Sequence, residues 1–233
     1  MAASILSPFG PDIWLGDGSE TDVSGFRYPT RMVLIRLKNG DLFVWSPIRL
    51  SEALRHEVDS LGVVRHLVAP NYLHHLFLQD WRQAYQEATL YAAPGLRQRR
   101  RDIEFDADLV DQPSPEWSDE IDQVLIDGNL ITTEVVFFHR RSQTVLFTDL
   151  LQQFPPGWFR GWRGLIARLD LMTCPKPSVP RKFRVAFNDR KVARKALRRV
   201  ISWPADKVVM AHGVPVQGNG QSFIASAFRW LVP

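Results

Sequence analysis

Histidine and aspartate side chains follow three of the strands that the sequence predicts, at the point where each strand ends. His74 and His75 come after the apolar run at 63–70, Asp149 follows VLFT, and His212 follows VVMA. Because ligand sites in α/β proteins collect beyond the carboxyl ends of strands, we expect these residues to meet. Imidazole nitrogens and carboxylate oxygens are ligands for Zn²⁺, the metal we expect, and also for Fe²⁺ or Mn²⁺. The sequence therefore predicts one divalent-metal site with these four residues as ligands.

Two further polar side chains in this region could take part in catalysis. Tyr72 shares the loop of the histidine pair, where its hydroxyl could donate a proton or contact an oxyanion, with simple packing as the alternative. Glu134 opens a predicted strand and could be a general base or an added ligand, although a carboxylate at a strand start is usually solvated. The other histidines, His56, His66 and His139, fall in a predicted helix, in a strand and at a hairpin turn, so we interpret them as structural or surface residues.

The predicted elements that carry these residues occur twice in the same order. Residues 32–46 form a predicted hairpin, and a helix over 50–61 and a buried strand over 63–70 follow it. Residues 134–149 form a second hairpin, which helices and a buried strand at 207–213 follow in turn. The repeat is one of element order and not of residue identity.

This repeat predicts two halves, about 1–93 and 123–233, within a single domain that covers residues 1–233. The connection between the halves carries apolar residues among its charges, so we expect it to pack rather than to act as a flexible linker. The fold class that this order favours is α/β, a four-layer αββα sandwich with two sheets face to face and helices outside.

The stretches around the predicted ligands resemble the metallo-β-lactamase superfamily. APNYLHH, LFTD and MAHG stand where that family has its strand–loop–DH, LFTGD and GHG segments. Its first motif, HxHxDH, laid on PNYLHH, puts Pro70 and Tyr72 where the first metal has histidines, and His74 and His75 where the second metal has aspartate and histidine. No histidine stands at residue 130 or 131, near which the first metal's remaining histidine is expected. The resemblance implies that the first metal site is lost and that one metal is bound at the second.

Nearly the whole chain resembles an uncharacterised branch of that superfamily, a domain of unknown function, so the resemblance implies a fold and supplies no substrate. We interpret the chain as a metal-dependent hydrolase in which one divalent metal activates water against an ester, thioester, lactone or phosphoester. Two alternatives stay open: a mononuclear non-haem iron oxidoreductase, and a non-catalytic binding or scaffold protein of the same fold. A small-molecule substrate is the expected partner.

Composition and charge exclude several other classes. The chain has 233 residues, of which 45% are hydrophobic, and a formal net charge of +4. Cys174 is the only cysteine, so any metal must be held by histidine and carboxylate. We expect a cytoplasmic protein, because the sequence shows neither a transmembrane run nor a signal-peptide pattern. The basic residues at 190–199 fall on one face of a predicted helix without aromatic residues for base stacking, so we expect a solvated face and no nucleic-acid partner.

The segment from Trp158 to Leu169 has its apolar residues at helical spacing and three arginines largely on the other side. This pattern is typical of an amphipathic helix. Four interpretations are open: a helix packed on the sheet, a lid over the pocket, a homodimer contact, or a helix at a membrane surface.

Overall fold

The structure is a computed structural model that describes residues 4–173 and 178–233, so Cys174 lies outside the described residues. The strands, in chain order, are β1 (Leu6–Gly10), β2 (Ile13–Asp17), β3 (Thr21–Val23), β4 (Phe26–Tyr28), β5 (Arg31–Arg36), β6 (Asp41–Trp45), β7 (Val63–Ala69), β8 (Thr89–Ala92), β9 (Ala107–Asp108), β10 (Ile121–Ile126), β11 (Glu134–His139), β12 (Thr144–Phe147), β13 (Lys207–Met210) and β14 (Val216–Gln217). The helices are α1 (Glu52–Leu61), α2 (Leu78–Ala84), α3 (Leu96–Arg99), α4 (Gly161–Leu169), α5 (Arg181–Ala186), α6 (Arg190–Ser202) and α7 (Gly220–Phe228).

The chain divides into two compact units. The first comprises the described residues up to Thr21 together with Pro29–Val110. The second comprises Asp22–Tyr28 together with Asp111–Pro233. Among the described residues, no helix combines the length and the apolar character that crossing a membrane requires.

The first unit is built on a seven-stranded sheet in the order β1-β2-β5-β6-β7-β8-β9. Strands β5 and β6 form the antiparallel hairpin that the sequence predicts, and β7 is the buried strand that follows it. From β6 onward the neighbours are parallel, because each of the helices α1, α2 and α3 returns the chain to the same end of the sheet. Helix α1 begins after Ser51, whose hydroxyl accepts the N–H of Leu54 at 3.2 Å, and it ends before Gly62, as predicted.

The core of the first unit lies between its sheet and these helices. Leu54 and Val58 of α1 and Trp81 of α2 are almost fully buried against strand residues such as Leu67. The indole N–H of Trp81 donates to the carbonyl of Ile48 at 2.7 Å, so its one polar atom is satisfied inside the core.

The second unit has a five-stranded sheet in the order β10-β11-β12-β13-β14. Strands β11 and β12 form the second predicted hairpin, and β13 pairs with β12 in parallel. The chain makes this parallel connection through α4, α5 and α6, and α7 follows β14. Helix α6 packs its apolar face, with Ala193, Leu197 and Val200, on the sheet and exposes most of its basic residues.

A smaller cluster in the second unit lies beside the two-stranded sheet of β3 and β4. It consists of aromatic residues from β4 and from the segment after β12, with two residues of the α4 region: Tyr28, Phe154, Phe159, Ala167 and Met172. The apolar residues of the connecting segment are each at most 9% exposed: Ile103, Phe105, Leu109, Trp117 and Ile121.

Candidate metal centre

Asp149 and His212 come together at one edge of the second unit's sheet. They follow β12 and β13, which are parallel neighbours with Phe147 opposite Met210, so both strands end at the same edge. The N–H of Ala211 donates to the carbonyl of Phe147 at 3.0 Å and holds the two strand ends together. Oδ1 of Asp149 lies 3.5 Å from Nε2 of His212, and both side chains are 9% exposed. The result is a nearly buried pair of side chains of the kinds that bind divalent metals.

A buried carboxylate holds the turn that carries Asp149. Oε1 of Glu134 accepts the N–H of Thr148 at 2.6 Å, and Oε2 accepts those of Asp149 and Leu150 at 2.9 and 3.0 Å. Burial, together with the negative charge of Asp149, raises the pKa of Glu134 to about 7. The solvated carboxylate that a strand start suggests is therefore not observed, because Glu134 is 0% exposed. Its two oxygens are engaged by backbone donors, which makes Glu134 a positioning residue for Asp149.

His212 is fixed by close backbone packing on its C-terminal side. Its carbonyl accepts the N–H of Gln153 at 3.3 Å, and the carbonyl of Gln153 accepts the N–H of Val214 at 2.9 Å. Gly213 lies between these two bonds with φ +128°, and a Cβ there would overlap the backbone of Gln153. The ring of Tyr28 meets the imidazole of His212 edge-on, with centroids 5.2 Å apart. The glycine of MAHG is thus required by sterics.

In the first unit, His74 is held by two polar neighbours. Oδ1 of Asn71, a fully buried residue, accepts the N–H groups of Leu73 and His74 at 2.9 and 3.0 Å and so shapes the turn. The hydroxyl of Ser46 lies 2.7 Å from Nδ1 of His74. Ser46 is placed there by the parallel pairing of β6 with β7, since its N–H donates to the carbonyl of Val68. A hydrogen bond at one ring nitrogen is what metal-binding histidines generally have, because it orients the ring.

His75, the neighbouring residue, lies between two arginines of the same unit. Nε of Arg99 donates to Nε2 of His75 at 3.1 Å, and Nη1 of Arg100 lies 3.1 Å from Nδ1 and donates to the carbonyl of His75 at 3.0 Å. Burial, with the charges of Arg100 and Arg99, lowers the pKa of His75 to about 4. Both ring nitrogens face guanidinium groups, whose positive charge repels a metal ion. This geometry gives no support to the predicted role of His75 as a ligand.

Tyr72 is surrounded by packing contacts. Its half-buried ring lies against the core of the first unit, and the guanidinium of Arg99 lies 5.5 Å from the ring centroid. These contacts favour the packing interpretation that the sequence left open. Among the remaining histidines, His139 is buried with Nδ1 2.8 Å from the Ser142 hydroxyl, His66 is buried in β7, and His56 is exposed on α1.

Sequence reasoning missed the part that Ser46 plays. Its contact with His74, which is 28 residues away in the chain, depends on the parallel pairing of β6 with β7, and no local pattern indicates it. The role of Asn71 does have a local signal. An Asn side chain that accepts hydrogen bonds from backbone N–H groups two and three residues later is typical of a turn.

Comparison with known proteins gives a family and a fold. The model of the family described as Domain of unknown function (DUF4336) matches residues 12–160. No curated protein sequence matches the chain. Solved structures are similar over nearly the whole chain, and the predicted α/β fold of the metallo-β-lactamase type is thereby confirmed.

Three of these structures illustrate the likeness. A metallo-β-lactamase from Pontibacter korlensis has a TM-score of 0.63 at 12% identity, covering 97% of each chain. One from Hirschia baltica has a TM-score of 0.64 at 9% identity, covering 98% of this chain and 97% of that one. A metallo-β-lactamase from Pseudomonas aeruginosa in a mono-zinc form has a TM-score of 0.64 at 12% identity, covering 98% of this chain and 96% of that one. At these identities the likeness establishes the fold alone.

Proposed function

The chain belongs to the family described as Domain of unknown function (DUF4336), and we propose that it is a metal-dependent hydrolase with one divalent metal. The observation that carries the proposal is the nearly buried Asp149–His212 pair, with Oδ1 and Nε2 3.5 Å apart. An aspartate and a histidine placed together at the carboxyl edge of a sheet, with a second buried carboxylate to hold the turn, fit a divalent cation of the zinc type.

The ligand set that we propose is Asp149, His212 and His74. The first two rest on their observed geometry, and His74 rests on the sequence motif and on the hydrogen bond between its Nδ1 and the Ser46 hydroxyl. We leave His75 out, because two guanidinium groups face its ring nitrogens. Three protein ligands are the number that catalytic zinc sites have, since they leave one tetrahedral position open for water or substrate. The metallo-β-lactamase from Pseudomonas aeruginosa, whose fold is similar, has been solved in a mono-zinc form.

A divalent metal bound by these residues supplies a Lewis acid that polarises a substrate oxygen and lowers the pKa of bound water. The chain's own residues hold the ligands in place. Glu134 fixes the backbone of Asp149, Ser46 orients the ring of His74, and the ring of Tyr28 packs edge-on beside His212. We propose an ester, thioester, lactone or phosphoester as the substrate class.

The metal content of protein purified without a chelator or a metal-binding tag tests the site. We expect about one zinc ion per chain. His212→Ala and Asp149→Ala should each abolish stoichiometric binding, His74→Ala should weaken it strongly, and His139→Ala is the matched control that should retain it. Wild-type protein that holds no ion at stoichiometric amounts under zinc supplementation would refute the proposal.

Two further measurements separate the parts of the proposal. If His75→Ala loses the metal while His74→Ala keeps it, the assignment of the third ligand is wrong although a metal site exists. If zinc-loaded protein hydrolyses none of the four substrate classes, the metal site stands without hydrolysis. Iron-dependent oxygen consumption then separates the oxidoreductase alternative from a binding protein of the same fold.

A further inference from the structure

Helix α4 presents its apolar residues to solvent instead of to the core. Trp162, Leu165, Ile166 and Leu169 are 58%, 61%, 43% and 57% exposed. We propose that this face, the apolar stripe of these four residues, binds the surface of an anionic lipid membrane, with the helix lying in the plane of the headgroups. The proposal is independent of the metal site.

The spacing of these residues makes them one continuous surface. They stand at positions i, i+3, i+4 and i+7, which at 3.6 residues per turn fall within an arc of about 100°. In a helix that packs on its own protein, such a stripe faces the core. In α4 the stripe is exposed instead, so the described residues leave it without an apolar surface to pack on.

The opposite face of α4 explains why the helix is orientated in this way. Its small residues face the protein: Ala167 is fully buried in the cluster with Phe154 and Met172. Gly164 lies so close to the preceding turn that a Cβ would stand 2.7 Å from the carbonyl oxygen of Phe159. These two small residues therefore occupy the side of α4 that meets the turn at Phe159 and the aromatic cluster, and the apolar stripe lies on the other side.

An arginine borders the apolar stripe on each side: Arg168 is exposed, and Arg163 is half-buried with its guanidinium 4.6 Å from the centroid of the Trp162 ring. At 100° per residue, Arg163 lies about 60° beyond Ile166 on one side and Arg168 lies about 60° beyond Leu165 on the other. No aspartate or glutamate occurs between residues 157 and 169. The first acid that follows is Asp170, whose carboxylate accepts a backbone N–H at 2.8 Å at the start of α5. An apolar face with tryptophan, bordered by arginines and free of acids, is the composition of helices that lie on anionic membranes.

Charge also decides against a second copy of this chain as the occupant. In a twofold dimer the same patch meets itself, so the arginines of one stripe would face those of the other. Like charges across an interface oppose association. A lipid surface with negative headgroups offers both an apolar layer for the stripe and neutralisation for the arginines.

Co-sedimentation of the full chain with vesicles tests the proposal. We expect binding to vesicles of mixed phosphatidylcholine and phosphatidylserine, little binding to phosphatidylcholine alone, and release at high salt. The double variant Trp162→Ser/Leu165→Ser should bind about a hundredfold more weakly, because two large side chains no longer enter the lipid. Arg168→Gln should bind about fivefold more weakly.

The matched control is Val192→Ser, which removes an exposed apolar residue, 46% exposed, from the strongly basic helix α6 of the same unit. Its binding should equal that of the wild type. The proposal is overturned if the chain binds neither kind of vesicle, or if the stripe variant binds as tightly as the wild type. Sedimentation equilibrium gives the remaining outcome: a dimer that Trp162→Ser/Leu165→Ser dissociates would show that a second copy covers the stripe, and would also overturn it.

Discussion

Replacing Glu134 tests the idea that a buried carboxylate holds the metal-binding turn. In Glu134→Ala the N–H groups of Thr148, Asp149 and Leu150, now bonded at 2.6, 2.9 and 3.0 Å, lose their acceptor inside the protein. Each buried donor left without a partner costs about 1–3 kcal/mol. The variant also no longer buries a carboxylate, and this gain offsets part of the cost of the three N–H groups. We expect Glu134→Ala to lower the free energy of unfolding by about 4 kcal/mol.

Glu134→Gln keeps the shape of the side chain and changes only its donors and acceptors. One amide oxygen can accept at most two of the three N–H groups, and the amide nitrogen must then face the third. We therefore expect a smaller loss, about 2 kcal/mol, from one missing bond and one donor-to-donor contact.

Urea unfolding followed by circular dichroism measures these losses, with Glu116→Gln as the control. Glu116 is exposed and lies in the same unit, so its change should stay within about 0.5 kcal/mol. Because Glu134 fixes Asp149, the affinity for zinc should fall about 10- to 100-fold in Glu134→Gln. A Glu134→Gln protein with wild-type stability and wild-type zinc affinity would refute the reasoning.

Two further predictions concern the first unit. Ser46→Ala removes the partner of Nδ1 of His74, so the affinity for zinc should fall about 10- to 100-fold with the urea midpoint unchanged; an unchanged affinity in a chelator competition contradicts His74 as a ligand. Burial raises the pKa of Glu57, but hydrogen bonds from the N–H groups of Ile5 and Leu6 outweigh it, so the net pKa lies below 4.5. The stability that Glu57 contributes is therefore present above pH 4.5 and lost as the pH falls through the lowered pKa. Urea midpoints in acid should show a shallower fall for Glu57→Gln than for the wild type; parallel curves would contradict this.

Local patterns in the sequence determined the elements and several of the functional residues. Hairpins appear where two β-rich runs flank a turn, and α1 ends at Gly62 where the helical pattern ends, because each depends on residues close together in the chain. The same holds for Asp149 and His212, which were recognised as residues at strand ends. Their meeting was predictable because parallel strands end at one edge of a sheet.

Only the tertiary structure decided the environments of these side chains. Glu134 looks like a solvated strand-start residue in sequence, yet it is fully buried because the turn after β12 folds back onto it. His75 looks like a metal ligand by motif, yet Arg99 and Arg100 from α3 and the residue after it face its ring. The pKa of each group depends on neighbours that are distant in the chain, and such neighbours leave no local pattern.

The apolar stripe of α4 shows the same division between sequence and structure. The spacing of Trp162 to Leu169 determined that a helix would have one apolar face. Which way that face points depends on the opposite side, where Ala167 is buried in the aromatic cluster and Gly164 lies against the turn at Phe159. The order of residues alone determines that α4 has an apolar face. Whether that face points to the core or to solvent is determined by the surface on which the helix packs.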